Sequence, residues 1–383
     1  MPRIYLDNAA TSYPKPEAVY RAVERYQREL GTAVGRGATR IAGEVQQVVD
    51  QCRLRAARLF GANSPQQVLF TFSGTDSLNL VLQGGLSPGE RVVTTVWEHN
   101  SVLRPLRALE MERQLSVEII SHDSRGRVDQ DALRQALKQP TRLVVVTHAS
   151  NVTGIVQPVE EIARIAHQAG ALVLLDAAQT AGHLPVNLNQ LPVDFIACPG
   201  HKGLMGPLGT GLLVMRAGME SELRPLRFGG TGTTSESDRQ PETSPERFEA
   251  GNHNAPGLFG LAAALEWQQS HPPGESGQQP ILQLLRGLQS LPGLRVHLDD
   301  ETLPRAGLVS ISFDRIPPDV AAGILDEHFQ IETRAGLHCA PLAHGALGTL
   351  AEGGTVRLSV GPFTTTDEID LTLEAIAQIA VAV

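Results

Sequence analysis

The chain has 383 residues, 42% hydrophobic and 19% charged, with a formal net charge of −9 and three cysteines. This balance predicts a soluble globular protein with one large and one small domain. It excludes a basic nucleic-acid or anionic-lipid surface, a disulfide framework and a zinc site of paired cysteines. No apolar run reaches the roughly 18–20 residues of a membrane span. The first residues carry no signal-like apolar region, and the scattered cysteines suit a reducing compartment, so a cytoplasmic location is expected.

In chain order, Gly43–Phe60 places Val45, Val48, Val49, Cys52, Ala56 and Leu59 at helical spacing. Seven short apolar runs follow: Val68–Phe72, Arg91–Val96, Val117–Ile120, Arg142–Thr147, Ala171–Leu175, Phe195–Cys198 and Thr210–Met215. Most are continuous rather than alternating, as strands buried on both faces should be. An amphipathic helix is predicted over Pro158–Ala169, with Ile162, Ile165 and Ala166 inward. The α/β alternation predicts a mostly parallel seven-stranded sheet between helices. From Phe228 to Gly257 the pattern gives way to a long loop rich in Gly, Thr, Ser and Pro. A helix is predicted at Leu258–Gln269, then a polar linker, His271–Pro280. Strands are predicted near Leu294–Leu298, Leu308–Phe313, Ile331–Arg334 and Thr355–Val360, with helices at Asp319–His328 and Asp367–Val381. The expected domains are 17–265, and 1–16 together with 266–383 as a smaller α+β unit.

Only three lysines, Lys15, Lys138 and Lys202, stand among 32 basic residues. Arginine replaces lysine as a surface cation but not as a primary amine that condenses with a carbonyl. Lys202 follows the Phe195 run directly, in Cys-Pro-Gly-His-Lys-Gly. In an open α/β sheet, ligands gather beyond the carboxyl ends of the strands. Those ends carry Gly74 and Thr75 at a helix start suited to phosphate, then His99, Asn151, Asp176 with Gln179, and His201 with Lys202. Pyridoxal phosphate requires such a set: an amine for its aldehyde, a carboxylate to keep its ring nitrogen protonated, and a cup for its phosphate.

Near both ends of the chain and between them stand Tyr-Leu-Asp-Asn-Ala-Ala-Thr, Ser-Gly-Thr-Asp-Ser-Leu-Asn, Glu-His-Asn-Ser, Asp-Ala-Ala-Gln-Thr-Ala-Gly, Gly-His-Lys-Gly, Phe-Glu-Ala-Gly, Arg-Ala-Gly-Leu-His-Cys-Ala-Pro and Thr-Val-Arg-Leu-Ser. In these motifs the chain resembles the class V group of fold-type I pyridoxal-phosphate enzymes. Within that group it resembles the cysteine desulfurases of the sulfur-mobilisation type, close to selenocysteine lyases. The resemblance implies that Lys202 is the Schiff-base lysine and moves the substrate Cα proton. Asp176 pairs with the pyridine nitrogen, Gln179 touches the ring hydroxyl, and His99 stacks on the ring and shuttles protons. Thr75 and His201 bind the phosphate, and Asn151 and Arg357 hold the carboxylate of L-cysteine or selenocysteine. The loop Phe248–Asn254, with Asn252, completes the partner's site in a homodimer, and sulfur passes to an acceptor protein.

Three cysteines compete for the nucleophile's role. Cys52 lies on an apolar helix face and Cys198 inside a buried strand, and both read as packing residues. Cys339 lies on a loop beside His338, where a thiol can be activated, and the resemblance makes it the persulfide carrier. Three positions depart from the family pattern. Pro199 replaces a hydroxyl donor to the phosphate, Asn252 a threonine, and Thr39 a histidine. The competing readings are a selenocysteine lyase, a C–S lyase or aminotransferase of the same class, and a non-catalytic sulfur-delivery or regulatory partner.

Overall fold

A computed structural model describes residues 3–35, 37–233, 235–272 and 278–382. Part of the expected polar linker, 273–277, lies outside the described residues. The strands are β1 (Ile4–Tyr5), β2 (Val68–Thr71), β3 (Arg91–Thr95), β4 (Ser116–Ile120), β5 (Leu143–Thr147), β6 (Leu172–Asp176), β7 (Phe195–Pro199), β8 (Gly211–Met215), β9 (Leu294–Val296), β10 (Leu308–Phe313), β11 (Ile331–Glu332), β12 (Arg334–Gly336) and β13 (Thr355–Ser359).

The expected sheet forms in the order β2-β8-β7-β6-β5-β3-β4. Only β8 runs antiparallel to its neighbours. The continuous apolar runs have a direct cause. Val144 and Val146 of β5 join one hydrophobic core, while Leu143 and Val145 join the other. Ile196 and Cys198 divide from Phe195 and Ala197 in the same way along β7. Alternate side chains leave a strand on opposite faces, so two covered faces require every position to be apolar. The helices Arg40–Leu59 and Val159–Gln168 supply Val45, Val49, Cys52, Ile162 and Ala166 as buried faces, so Cys52 is the packing residue its spacing implied. Thr39 caps the first of these helices, its Oγ1 accepting from Ala42 N at 3.2 Å.

A second, antiparallel sheet has the order β12-β13-β10-β9 and its own core, including Val309, Ile311, Val356 and Leu358. Here one expectation needs correcting. The strand read as Ile331–Arg334 is two strands in two sheets. Its first half, β11, pairs in parallel with β1, whereas β12 pairs with β13. The N-terminal segment supplies the edge that captures Ile331 and Glu332. Beyond β1 it continues across the molecule, bridging Asp7 to Ser359. No helix among the described residues is long and apolar enough to cross a membrane.

Candidate active site

Because β2, β3, β5, β6 and β7 are mutually parallel, their carboxyl ends share one edge of the sheet. A cavity of about 230 Å³ opens there. It is lined by Gly74, Thr75, His99, Asn151, Asp176, Gln179, His201 and Lys202, so eight residues singled out from the sequence converge on one volume. Each follows or ends a buried strand, and that placement is what brings them together.

Lys202 stands four residues after Cys198, on the turn leaving β7. Burial, reinforced by the nearby Arg357 charge, pushes its amine down to about 8, against the pull of Asp176. Among the described residues no hydrogen bond holds that amine. Asp176 ends β6, and Ala178 N donates to its Oδ1 at 2.9 Å. Burial raises its pKa despite that bond and the Lys202 charge. Gln179 donates from Nε2 to Ala9 O at 3.2 Å.

His99 caps the helix Asn100–Arg113. Ser101 N donates to its Nδ1 at 3.0 Å, so a neutral ring carries its proton on Nε2. Burial, with the charges of Lys202 and Arg334 behind it, pushes His99 down to about 4. Ser73 caps the helix Gly74–Gly85, its hydroxyl accepting from Asp76 N at 3.1 Å. Thr75 Oγ1 lies 2.7 Å from Ser101 Oγ. A Cβ on Gly74 would fall 3.0 Å from Pro199 Cδ, so glycine is needed where the proline ring packs.

Cys339 is exposed, whereas Cys198 and Cys52 are buried, and burial pushes both thiols well up, that of Cys52 to about 12. Arg334, which also lines the cavity, points Nη2 at Cys339 Sγ from 3.7 Å. The thiol therefore stands beside a cation at the cavity wall. Its loop is held in an uncommon shape: His338 has φ 49° and Cys339 φ 58°. Left-handed non-glycine residues cost of order 1–3 kcal/mol each unless the surroundings hold them. The holding bonds are Asn151 Nδ2 to His338 O (2.6 Å), Asn100 N to Cys339 O (2.7 Å), and a 3.0 Å contact between His338 Nε2 and Thr355 Oγ1.

Three sequence-derived residues do not line the cavity: Cys339, which stands beside Arg334 of its wall, Arg357 and Asn252. Arg357 is 1% exposed; it donates to Asn151 O (3.0 Å) and Asp7 Oδ1 (2.8 Å), and its Nε has no partner. Asn252 lies exposed on the long loop and does not line this cavity.

The model of the family described as "Aminotransferase class-V" matches residues 4–372. The chain belongs to the class-V aminotransferase family. This class-V chain is 37% identical to a probable cysteine desulfurase of Methanothermobacter thermautotrophicus, over 98% of the chain and 94% of the relative. It is 30% identical to the cysteine desulfurase of Cronobacter sakazakii, over 96% and 91%. Among solved structures, the apo cysteine desulfurase of Thermococcus onnurineus aligns with TM-score 0.92 at 32% identity, covering 100% of this chain and 95% of that one. The Escherichia coli cysteine desulfurase CsdA aligns with TM-score 0.88 at 28% identity, covering 99% and 95%.

Around this class-V site the fold adds residues that sequence reasoning missed. Ser73, Ser101 and Arg334 line the cavity. Glu98 lies buried beneath it, its Oε1 accepting from Thr95 Oγ1 (2.7 Å) and Thr147 N (2.9 Å). Burial pushes Glu98 up to about 8, against those two bonds. Glu98 and Ser101 both sit within the quoted Glu-His-Asn-Ser motif, so that motif held the signal.

Proposed function

We propose that the chain is a pyridoxal-phosphate-dependent cysteine desulfurase that converts L-cysteine to L-alanine and carries the sulfur on Cys339 as a persulfide. The observation that carries this reading is the pairing of Lys202, a cavity amine with no hydrogen bond among the described residues, with an exposed cysteine thiol beside Arg334 of the cavity wall. The chain's similarity to proteins named cysteine desulfurases supports it.

The residues present fit the cofactor. Lys202 has an amine with no partner among the described residues, Asp176 has one oxygen not engaged by Ala178, and the helix starting at Gly74 leaves N–H groups and the Thr75 hydroxyl facing the cavity. Lys202 would hold the aldehyde carbon, Asp176 the ring nitrogen, Gln179 the ring hydroxyl, and Gly74, Thr75 and His201 the phosphate. Bound pyridoxal phosphate supplies an electron sink that makes the substrate's Cα–H and Cβ–S bonds breakable.

The chain's own groups do the rest. With its pKa near 8, Lys202 is partly unprotonated at neutral pH and takes and returns the Cα proton. His99, neutral with hydrogen on Nε2, would stack on the bound ring and relay a proton. Asn151 and Arg357 hold the substrate carboxylate, for which the unpartnered Nε of Arg357 offers a donor. Cys339, as thiolate, bonds to the substrate sulfur while that sulfur leaves Cβ. The Arg334 guanidinium sits where it can balance that charge. An acceptor protein then takes the sulfur from the exposed position.

A homodimer fits the remaining features. Phe72 beside the cup is 46% exposed and Phe228 74% exposed, on the surface where the long loop carries Asn252. In this reading Asn252 serves the partner's phosphate.

Incubation with L-cysteine and excess dithiothreitol, which supplies the two electrons that release the persulfide sulfur as sulfide, with sulfide and alanine assayed together, tests the proposal. Equal yields are expected. Lys202→Ala should lose the coloured cofactor adduct and all activity. Cys339→Ser should keep the colour but lose sulfide release. Colour persisting without Lys202, or full sulfide release without Cys339, would refute the corresponding assignment.

A further inference from the structure

Lys15 is one of three lysines in the chain, and the reaction proposed above gives it no part. It is half-buried, just before the helix Glu17–Arg25. Its Nζ donates to Ser12 O (3.1 Å), Ser12 Oγ (2.9 Å) and His201 O (3.3 Å). An ammonium has three N–H donors, and here all three meet neutral oxygens. Its main-chain N–H is held as well, donating to Tyr20 OH at 3.0 Å. Burial alone moves its pKa, down to about 8, with no charged neighbour contributing. This lysine is therefore not half of an ion pair.

The shared acceptor gives Lys15 its role. The His201 carbonyl belongs to the peptide that joins His201 to Lys202. It also faces Ser12 N (3.0 Å), Ser12 Oγ (3.0 Å) and Thr11 Oγ1 (3.2 Å). Thr11 Oγ1 in turn lies 3.1 Å from the ring Nδ1 of His201. A carbonyl has two lone pairs, so these donors share it, and Lys15 also holds Ser12 through its O and Oγ, fixing the turn that presents the other three. The Lys202 side chain has no such anchor, since none of the described residues bonds its amine. The placement of that amine is set from its main chain.

We infer that Lys15 is a positioning residue for Lys202, clamping the His201–Lys202 peptide through the N-terminal strap so that the amine enters the cavity along one path. The inference rests on the reading of Lys202 as the cofactor-binding lysine. The same strap reaches two other site residues, since Ala9 O accepts from Gln179 and Asp7 pairs with Arg357. The compact ammonium suits three converging acceptors, whereas the planar fork of arginine does not. This explains a lysine here in a chain that otherwise uses arginine almost throughout.

The test uses the full chain loaded with pyridoxal phosphate and supplied with L-cysteine. Lys15→Met should lower kcat by roughly 10- to 100-fold while KM stays within about twofold. Lys15→Arg, which keeps the charge but not the geometry, should fall with it. In the cofactor-free chain, amide exchange over residues 200–206 should quicken in both variants, while β5 keeps its protection. Unchanged kcat in Lys15→Met overturns the inference, as does a change confined to KM. Full activity in Lys15→Arg overturns it by assigning the effect to charge. Equal loss of protection in β5 overturns it by assigning the effect to global stability. If the unaltered chain binds no pyridoxal phosphate, the proposed function fails instead, and the exchange comparison still decides whether Lys15 clamps the peptide.

Discussion

Pro199 has neither a hydroxyl nor an N–H, so the strand that delivers Lys202 donates nothing at that position. Ser101 offers a replacement. Its hydroxyl lies 2.7 Å from that of Thr75, and both residues line the cavity. Ser101→Ala should therefore weaken retention of pyridoxal phosphate by about 1.5–3 kcal/mol, the usual value of a hydrogen bond to a charged group. Its main-chain N–H still serves His99 Nδ1, so the ring keeps its tautomer. Dialysis against graded cofactor measures the change; retention equal to the unaltered chain would remove Ser101 from the cup. The residues that were legible in the sequence share one property. Thr75, His99, Asp176 and Lys202 each end or follow an apolar run, so the strand pattern alone brings them together. Ser101 stood in a motif read from the sequence, but its place in the cup was not legible there, because its partner lies 26 residues earlier. Arg334 was hidden among many arginines. Its contact with Cys339 depends on two left-handed residues that no local pattern announces.

The long loop is an element without regular structure, yet it is pinned to the sheet, most strongly at Glu249. Glu249 takes both nitrogens of Arg53, Nη1 on Oε1 and Nη2 on Oε2, each at 2.7 Å, and Phe70 N of β2 at 2.6 Å. His253 Nε2 lies 3.3 Å from its other oxygen, and the Arg53 guanidinium covers the Phe70 ring at 4.1 Å. The side chains of the pair are only 11% and 4% exposed. Glu249→Gln leaves Arg53 charged and buried, which should cost about 3–5 kcal/mol. Urea unfolding measures it; a loss below about 1 kcal/mol would mean that the pair behaves as an exposed one. The sequence marked this segment as a loop by composition but could not show the anchor, because Arg53 and Glu249 are 196 residues apart. Elements with strong periodicity were easier. The helix Arg40–Leu59 and the seven strands of the main sheet follow from their apolar spacing. The helix Pro341–Leu347 does not, since seven residues with two buried positions give no period to read. The break between β11 and β12 was equally invisible, because the N-terminal strand that causes it lies more than 300 residues away.

Across the whole molecule, burial holds seven histidines below their ordinary pKa. His148, His183, His297 and His344 are pushed down to about 4 and His338 to about 2, in each case chiefly by burial. His99 and His201, also at about 4, add to them. Between pH 6.5 and 4 the unfolded chain binds protons on these rings and the folded chain does not. Stability therefore rises with pH through that window and is lost as pH falls. Each ring contributes up to about 1.4 kcal/mol per pH unit. Glu98 opposes them: with its pKa raised to about 8, the folded state holds an extra proton above pH 4.5, so its contribution falls as pH rises. Asp176, also raised by burial, acts in the same direction, but two carboxyls do not offset seven rings, and the net slope stays positive. A fold stable by only about 5–15 kcal/mol should then unfold well before every ring has titrated. Denaturant unfolding of the cofactor-free chain at pH 7, 6 and 5 measures the slope. His297 gives the attribution, since it lies in the second sheet, 2.9 Å from Ser312 Oγ, far in sequence from the cavity residues. His297→Gln should reduce the slope by about one proton, or about 1.4 kcal/mol per pH unit. A flat profile between pH 6.5 and 5 would mean that the folded chain carries these protons after all, and that the polar groups around each ring accommodate a cation that burial was expected to exclude.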